Sequence, residues 1–272
     1  MKEISRQIRA AGRRIGFVPT MGSLHEGHMS LVRRMRELSD VVVVSIFVNP
    51  TQFGPQEDFE RYPRELARDA DLCIARGVDY VFAPENREIH PAGACTFVEV
   101  DGLSTRLEGS SRPGHFRGVT TVVLKLFEVV TPHLAAFGQK DAQQAIVLKR
   151  MARDLLLDVE ILVCPIVRDR DGVALSSRNV RLSAEERKAA QAIPRALAAA
   201  EGAVGSGVRD PAAVVHAARG VLEAEPLLRI DYVELVDMEE LLPVQAVNGE
   251  MLLAVAVFVG ATRLIDNVIL PA

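Results

Sequence analysis

The chain has 272 residues, 49% hydrophobic and 25% charged, with 32 Lys plus Arg against 36 Asp plus Glu and a formal net charge of −4. At roughly 100 to 200 residues per domain, that length holds one large domain or two modest ones, each able to bury a core without disulfide or metal staples. The acidic balance leaves no global basic field and argues against a protein that grips nucleic acid mainly through phosphates.

Cys73, Cys95 and Cys164 are odd in number, lie in or beside apolar runs, and show neither zinc spacing nor a disulfide framework. They read as buried small hydrophobes in a reducing compartment, which points to the cytoplasm. The N-terminal MKEISRQIRAAGRR lacks a signal-peptide core. The longest apolar stretches, 41–48 and 251–259, fall well short of the roughly 20 residues of a membrane helix.

In chain order, runs apolar on both faces at 14–18, 41–48, 78–83, 133–137 and 159–163 read as buried parallel strands. Segments 24–38, 63–76, 118–130 and 141–155 read as helices between them, the second with proline in its first turn. Strands alternating with helices predict an α/β domain, a parallel sheet with helices on both faces, over residues 1–167. After a charged connection at 164–179, Ser183 and Glu186 form a capping box that should start one long Ala-rich helix, with a helix-ending loop at 202–207. Asp210 and Pro211 start another helix, and segments 230–236, 252–259 and 264–270 read as strands. Residues 168–272 are therefore expected to form a smaller α+β domain with an antiparallel sheet.

The most informative stretch is FVPTMGSLHEGHMSLVRRM, where a buried strand gives way to a helix with Gly22 and Gly27 between. Ligands of open α/β sheets bind at such strand ends, and helix-start amides can meet phosphate oxygens where glycines let them approach. His25 and His28, three apart, share a helical face and could donate to a phosphate in its transition state. A polar cap on a surface helix would use the same residues, and the spacing is not that of a zinc protease. The stretch is neither GxGxxG nor a Walker A loop, so another nucleotide geometry is needed.

Four later stretches carry further candidates. SIFVNPTQFG puts Asn49, Gln52 and Phe53 at a strand end, where they read either a small substrate or only a turn's backbone. LEGSSRPGHFRGV is a Gly, Ser and Pro rich loop carrying Arg112, His115 and Arg117, a candidate lid. AFGQKDAQQ puts Gly138, Lys140 and Asp141 at a strand-to-helix turn, with Gln143 and Gln144 one turn on. There the ammonium could hold phosphate, or Asp141 could simply cap a helix beside a solvated lysine. In LSSRN, Ser176, Ser177 and Arg178 supply two hydroxyls and a guanidinium able to clamp a triphosphate.

The His-x-Gly-His segment resembles the signature of the adenylyl-transferring α/β superfamily of class I aminoacyl-tRNA synthetases and small nucleotidylyltransferases. With PTMGSLHEGH, FVNPTQFG, RPGHFRGV, the FG-x-KD turn and LSSRN in that order, the chain resembles the pantothenate synthetase family. The likeness is close over residues 16–182 and continues through 230–237 and the terminal LIDN. Departures are small: Ser23 replaces the usual Ala, Met29 the usual Leu, Gln139 a frequent Glu, and the N-terminus is short.

The resemblance implies a Rossmann-like first domain binding nucleotide and pantoate, covered by the second domain. It implies an ATP-dependent ligase that forms pantoyl adenylate and pyrophosphate, then lets β-alanine displace AMP. Met21, Gly22, Ser23, Leu24, His25, Glu26, Gly27, His28, Gly138, Gln139, Lys140, Asp141, Val167, Leu175, Ser176, Ser177 and Arg178 match nucleotide contacts. His28, His25, Lys140 and Arg178 are the implied catalytic groups; Gln52 and Gln144 match pantoate positions, and Gln52 also borders the β-alanine site. The family implies Mg²⁺ arriving with ATP, without protein ligands that the sequence identifies, no tightly bound organic cofactor, and a homodimer with neither nucleic-acid nor membrane partners. A nucleotidylyltransferase that stops after nucleotide transfer is the alternative, and a regulatory module that has lost catalysis is a second.

Overall fold

Strand β1 (Ile15–Thr20) is apolar in both directions because helices cover both of its faces. On one side Phe17 meets Phe127 of α6 (His115–Val130) edge to face, with ring centroids 6.3 Å apart. On the other, Val18 joins a cluster with Met29, Val32 and Met35 of α2 (Glu26–Leu38). A Cβ at Gly16 would crowd Met35, so that helix lies close against the strand.

The computed structural model describes residues 1–55, 57 and 59–271. They form two units, one of residues 1–139 and 143–165, the other of 140–142 and 166–272.

The first unit runs α1 (Lys2–Ala10), β1, α2, β2 (Val41–Ile46), α3 (Leu66–Ala75), β3 (Tyr80–Phe82), α4 (Asn86–Ile89), α5 (Glu108–Ser111), α6, β4 (Leu134–Gly138), α7 (Ala142–Asp154) and β5 (Glu160–Cys164). The five strands are all parallel in the order β3-β2-β1-β4-β5. β1 and β2 run in step from Ile15↔Val41 to Thr20↔Ile46, so their carboxyl ends finish level.

The second unit holds α8 (Ala184–Ala190), α9 (Ala192–Gly205), α10 (Pro211–Glu223) and an antiparallel sheet β6-β7-β8, of Leu228–Asp237, Met251–Val259 and Thr262–Leu270. Its core joins Ile193, Ala196 and Leu197 of α9 and Val214, Ala218 and Leu222 of α10 to Leu253, Val255 and Val257 of the central strand. An α/β unit with a parallel sheet and a separate C-terminal antiparallel sheet is the expected fold class.

Several expected boundaries move. The helix expected at 63–76 begins at Leu66, because the Arg64 guanidinium donates to the carbonyls of Phe59, Glu60 and Tyr62 and holds the preceding chain in a turn. Proline therefore lies before that helix and outside its first turn. The helix expected at 118–130 starts earlier, at His115. The long Ala-rich helix is two helices, since Pro194 lacks the amide that would bond Ala190 and its ring crowds that carbonyl. Residues 202–205, expected in a loop, continue α9, and the turn comes only at Gly207, with φ +95°. Cys73 and Cys164 are buried as expected, whereas Cys95 is exposed. Among the described residues no helix is long and apolar enough to cross a membrane.

Candidate active site

The sheet order reverses between β1 and β4, whose chains leave toward opposite edges. In open α/β sheets such a switch point opens a crevice at the carboxyl ends of the strands, the usual place for a ligand. β1 delivers residues 21–28 there, and β4 delivers Gly138 and Gln139.

The loop after β1 is held from beneath. Thr20 Oγ1 donates to the Ser45 carbonyl at 2.7 Å and accepts the Gly22 amide at 3.1 Å. Gly22 has φ +83° and Ser23, without glycine's freedom, sits at φ +52°. The carboxylate of Asp69, 1% exposed on α3, stabilises that turn by accepting the amides of Ser23 at 2.7 Å and Leu24 at 2.9 Å. Nothing in the sequence marks this residue, since an aspartate between Arg68 and Asp71 on a helix reads as solvated surface.

His25 is the N-cap of α2, and His28 occupies its third helical position. His25 Nδ1 accepts the Gly27 amide at 3.2 Å, and His28 Nδ1 accepts the His25 amide at 3.3 Å. The rings lie 4.1 Å apart, centroid to centroid, at 38°. Because each Nδ1 acts as acceptor, each neutral ring carries its proton on Nε2. The amides of Gly22, Ser23, Leu24, His25, Gly27, His28 and Met29 all meet protein acceptors. Those main-chain contacts fix the turn that carries the two imidazoles. Leu24 is a core side chain, 1% exposed, and Glu26 faces outward to Arg33 and Arg76.

After β2 the chain makes a 3-10 turn at Pro50–Gln52, capped by Asn49. The buried Asn49 amide donates to Gln52 Oε1 and to the Gly118 carbonyl, both at 3.1 Å, while its oxygen accepts from Thr51 Oγ1 and lies 2.9 Å from His90 Nε2. Gln52 Nε2 reaches the Met21 sulfur at 3.1 Å, which brings the two expected strand-end motifs together. Asn49 supports Gln52 and spends its own amide in doing so.

The expected lid segment is folded against this turn. Arg112 grips Glu57 through Nε at 2.7 Å and Nη2 at 2.5 Å, and Nη2 also donates to the Gln52 carbonyl at 3.3 Å. His115 Nδ1 lies 2.8 Å from that same carbonyl, with Nε2 3.2 Å from Arg112 Nη1. As a guanidinium only donates, Nε2 is the acceptor and Nδ1–H the donor. Burial, then the Arg112 charge, lowers the His115 pKa to about 4, despite its bond to Gln52 and two nearby carboxylates. Burial raises Glu57, but its bonds and charge interaction with Arg112 outweigh that and leave it below the usual carboxylate value. Arg117 lies apart from this cluster, over the Phe97 ring at 3.9 Å.

Adjacent glutamines of α7 have different fates. Gln143 donates to the carbonyls of Leu103 and Arg106 and accepts the Glu108 amide, so it staples the chain before α5. Gln144 is half-buried, and its side-chain amide hydrogen-bonds no other described residue.

The second unit holds the remaining candidates. Lys140 Nζ lies 3.4 Å from Asp141 Oδ1, and its side chain is only 20% exposed. It lines a small cavity with Ala174, Ser176, Asn179, Leu264 and Asp266. The Val167 carbonyl accepts the Leu175 amide, closing the bend that leads to Ser176, whose Oγ accepts the Arg178 amide at the start of a 3-10 turn, Ser177–Arg181.

A doubly wound sheet presenting paired imidazoles at its switch point defines a protein of the nucleotide-activating α/β class. Comparison narrows this. A family model described as Pantoate-beta-alanine ligase matches residues 1–269. The pantothenate synthetase of Pelotomaculum thermopropionicum is 56% identical over 265 residues, 97% of this chain and 94% of that one. The crystal structure of a pantothenate synthetase from Thermus thermophilus superposes with a TM-score of 0.92 at 48% identity, covering 97% and 96% of the two chains. A Francisella tularensis pantoate-beta-alanine ligase, solved in complex with beta-gamma ATP and beta-alanine, gives 0.79 at 34% identity, covering 98% and 95%. The chain belongs to the pantoate-beta-alanine ligase family. It is an enzyme of that ligation, and not a nucleotidylyltransferase that stops after nucleotide transfer.

Proposed function

We propose that the ligation is driven by ATP in two half-reactions. The pantoate carboxylate attacks the α-phosphorus and pyrophosphate leaves; the β-alanine amine then attacks the acyl carbon of the adenylate, and AMP leaves as the amide forms. The observation that carries this reading is the His25–His28 pair, whose shared tautomer supplies two N–H donors where charge develops on phosphate. The ligands named for the Francisella relative suit the same chemistry.

In this reading Met21 to His28 meet ATP, with His28 and His25 stabilising the transition state. Gly138 to Asp141, Val167 and Leu175 to Arg178 contact the nucleotide, with Lys140 and Arg178 offsetting negative charge. Gln52 and Gln144 hold pantoate, and Gln52 also meets β-alanine. Alignment of carboxylate and α-phosphorus supplies most of the rate, since adenylation demands little acid or base chemistry.

Among the described residues no three His, Cys, Asp or Glu side chains gather to hold a metal. Mg²⁺ would enter with ATP, chelated mainly by the phosphates. A homodimer in the cytoplasm completes the proposal, and sedimentation of the purified chain tests its assembly.

Pyrophosphate release from Mg-ATP and pantoate, followed by AMP release on adding β-alanine, tests the two half-reactions. A stoichiometric burst and then β-alanine-dependent turnover is expected; AMP release without pantoate would overturn the sequence of steps. His28→Ala and Lys140→Ala are each expected to abolish the burst in folded protein, and a normal burst removes that residue from the mechanism.

A further inference from the structure

The terminal motif LIDN places two polar residues in succession on β8, and both are buried: Asp266 is 3% and Asn267 4% exposed. A carboxylate buried in a small sheet adds less stability than an apolar residue of similar volume, so its presence points to a role in placement. Both oxygens of Asp266 are held by Arg168, through Nη1 at 2.5 Å and Nη2 at 3.1 Å. Asp266 Oδ1 also accepts the Asn267 amide at 2.8 Å. Arg168 is fixed in turn by its donation to the Gly172 carbonyl and its bridge to Ala174. At the end of this chain, Asn267 Nδ2 donates to the main-chain carbonyl of Lys140 at 3.0 Å. Asp266 and Lys140 line the same cavity.

We infer that Asn267, oriented by Asp266 and Arg168, is a positioning residue that fixes the backbone of Lys140 and thereby the point from which its ammonium acts. The inference rests on the proposed role of Lys140 in adenylate formation. Lysine has a flexible stem and places charge well only when its base is fixed. A displacement of about 1 Å at a reacting group is enough for a roughly hundredfold loss of rate.

The test is a double-mutant cycle on the rate of pyrophosphate release, followed at enzyme concentrations high enough to resolve the slow release that remains once the burst is lost, with Asn267→Ala, Lys140→Ala and the pair, melting temperature being recorded for each. Asn267→Ala is expected to lower kcat about 10- to 100-fold and to leave KM for ATP and pantoate within about twofold. In the Lys140→Ala background the same change should cost less than about twofold, because the group it serves is gone. Equal losses in both backgrounds, or an unchanged kcat for Asn267→Ala, would overturn the inference. Normal turnover of Lys140→Ala alone would instead sink the role given to Lys140. Should Asn267→Ala fail to fold, Asn267→Ser, which is too short to reach the carbonyl, enters the same cycle with the same expected and overturning results.

Discussion

Asp69 and Ser23 are 46 residues apart in sequence, yet the carboxylate of one accepts the amide of the other at 2.7 Å and thereby holds a non-glycine residue in left-handed conformation. Asp69→Asn keeps the volume but turns an NH₂ toward one of the two amides it served. The variant is expected to lose about 1 to 3 kcal/mol of stability and tenfold or more, roughly, in kcat/KM, because both histidines follow from this turn. Denaturant unfolding and steady-state ligation check it; wild-type turnover would show that the histidine pair does not depend on this anchor.

The neighbouring glutamines of α7 give a direct contrast. Gln143→Ala removes three hydrogen bonds to main chain and is expected to destabilise the fold by about 2 kcal/mol or more. Gln144→Ala should leave the melting temperature unchanged and raise the KM for pantoate, since its amide serves no other described residue. Thermal melts beside pantoate titrations separate them. An unchanged pantoate KM for Gln144→Ala removes it from the substrate site.

The Glu57, Arg112 and His115 cluster predicts loss of stability in acid. His115, with its pKa lowered to about 4, contributes stability above the unfolded value near 6.5 that fades as pH falls from there to about 4. Glu57, also lowered, adds to this above its ordinary value of 4.5 and loses its contribution as pH falls through its folded value. Both signs agree, and the histidine's own share is at most about 3 kcal/mol. Melting temperatures from pH 7 to pH 4 should fall more steeply for wild type than for His115→Asn. Parallel curves would mean that the imidazole takes up its proton without disturbing the clasp on Gln52.

Thiol titration distinguishes the three cysteines. Cys95 is exposed, whereas burial, then Asp69, raises the Cys73 thiol to about 11, and burial raises Cys164. A thiol reagent at pH 8 should label one cysteine rapidly in native protein and three after denaturation. Rapid labelling of Cys73 in native protein would show that α3 opens easily from the sheet.

The parallel sheet was legible because apolar runs such as 41–46 have no polar face, and the candidate site was read from the histidines and glycines that interrupt such a run at its end. Hydrophobic pattern did not reveal how those residues are held. Asp69, Asn49 and Glu57 act through long-range hydrogen bonds that leave no period in the sequence. The split of α8 from α9 was readable in principle from Pro194, but the alanines around it masked the break. Arg112 and His115 stood out as chemistry, and only the fold revealed that they clasp the Gln52 carbonyl.

The bond from Asn267 to Lys140 spans 127 positions and so has a direction in time. A ribosome adding about 5 to 20 residues per second makes the histidine turn early and Lys140 midway, and delivers the support for that lysine many seconds later. An unfinished chain would therefore carry His25 and His28 before it could set its lysine. On the proposal made above for Asn267, full activity would come only once β8 had been made, so the last strand of the chain would set the timing of the enzyme's maturation.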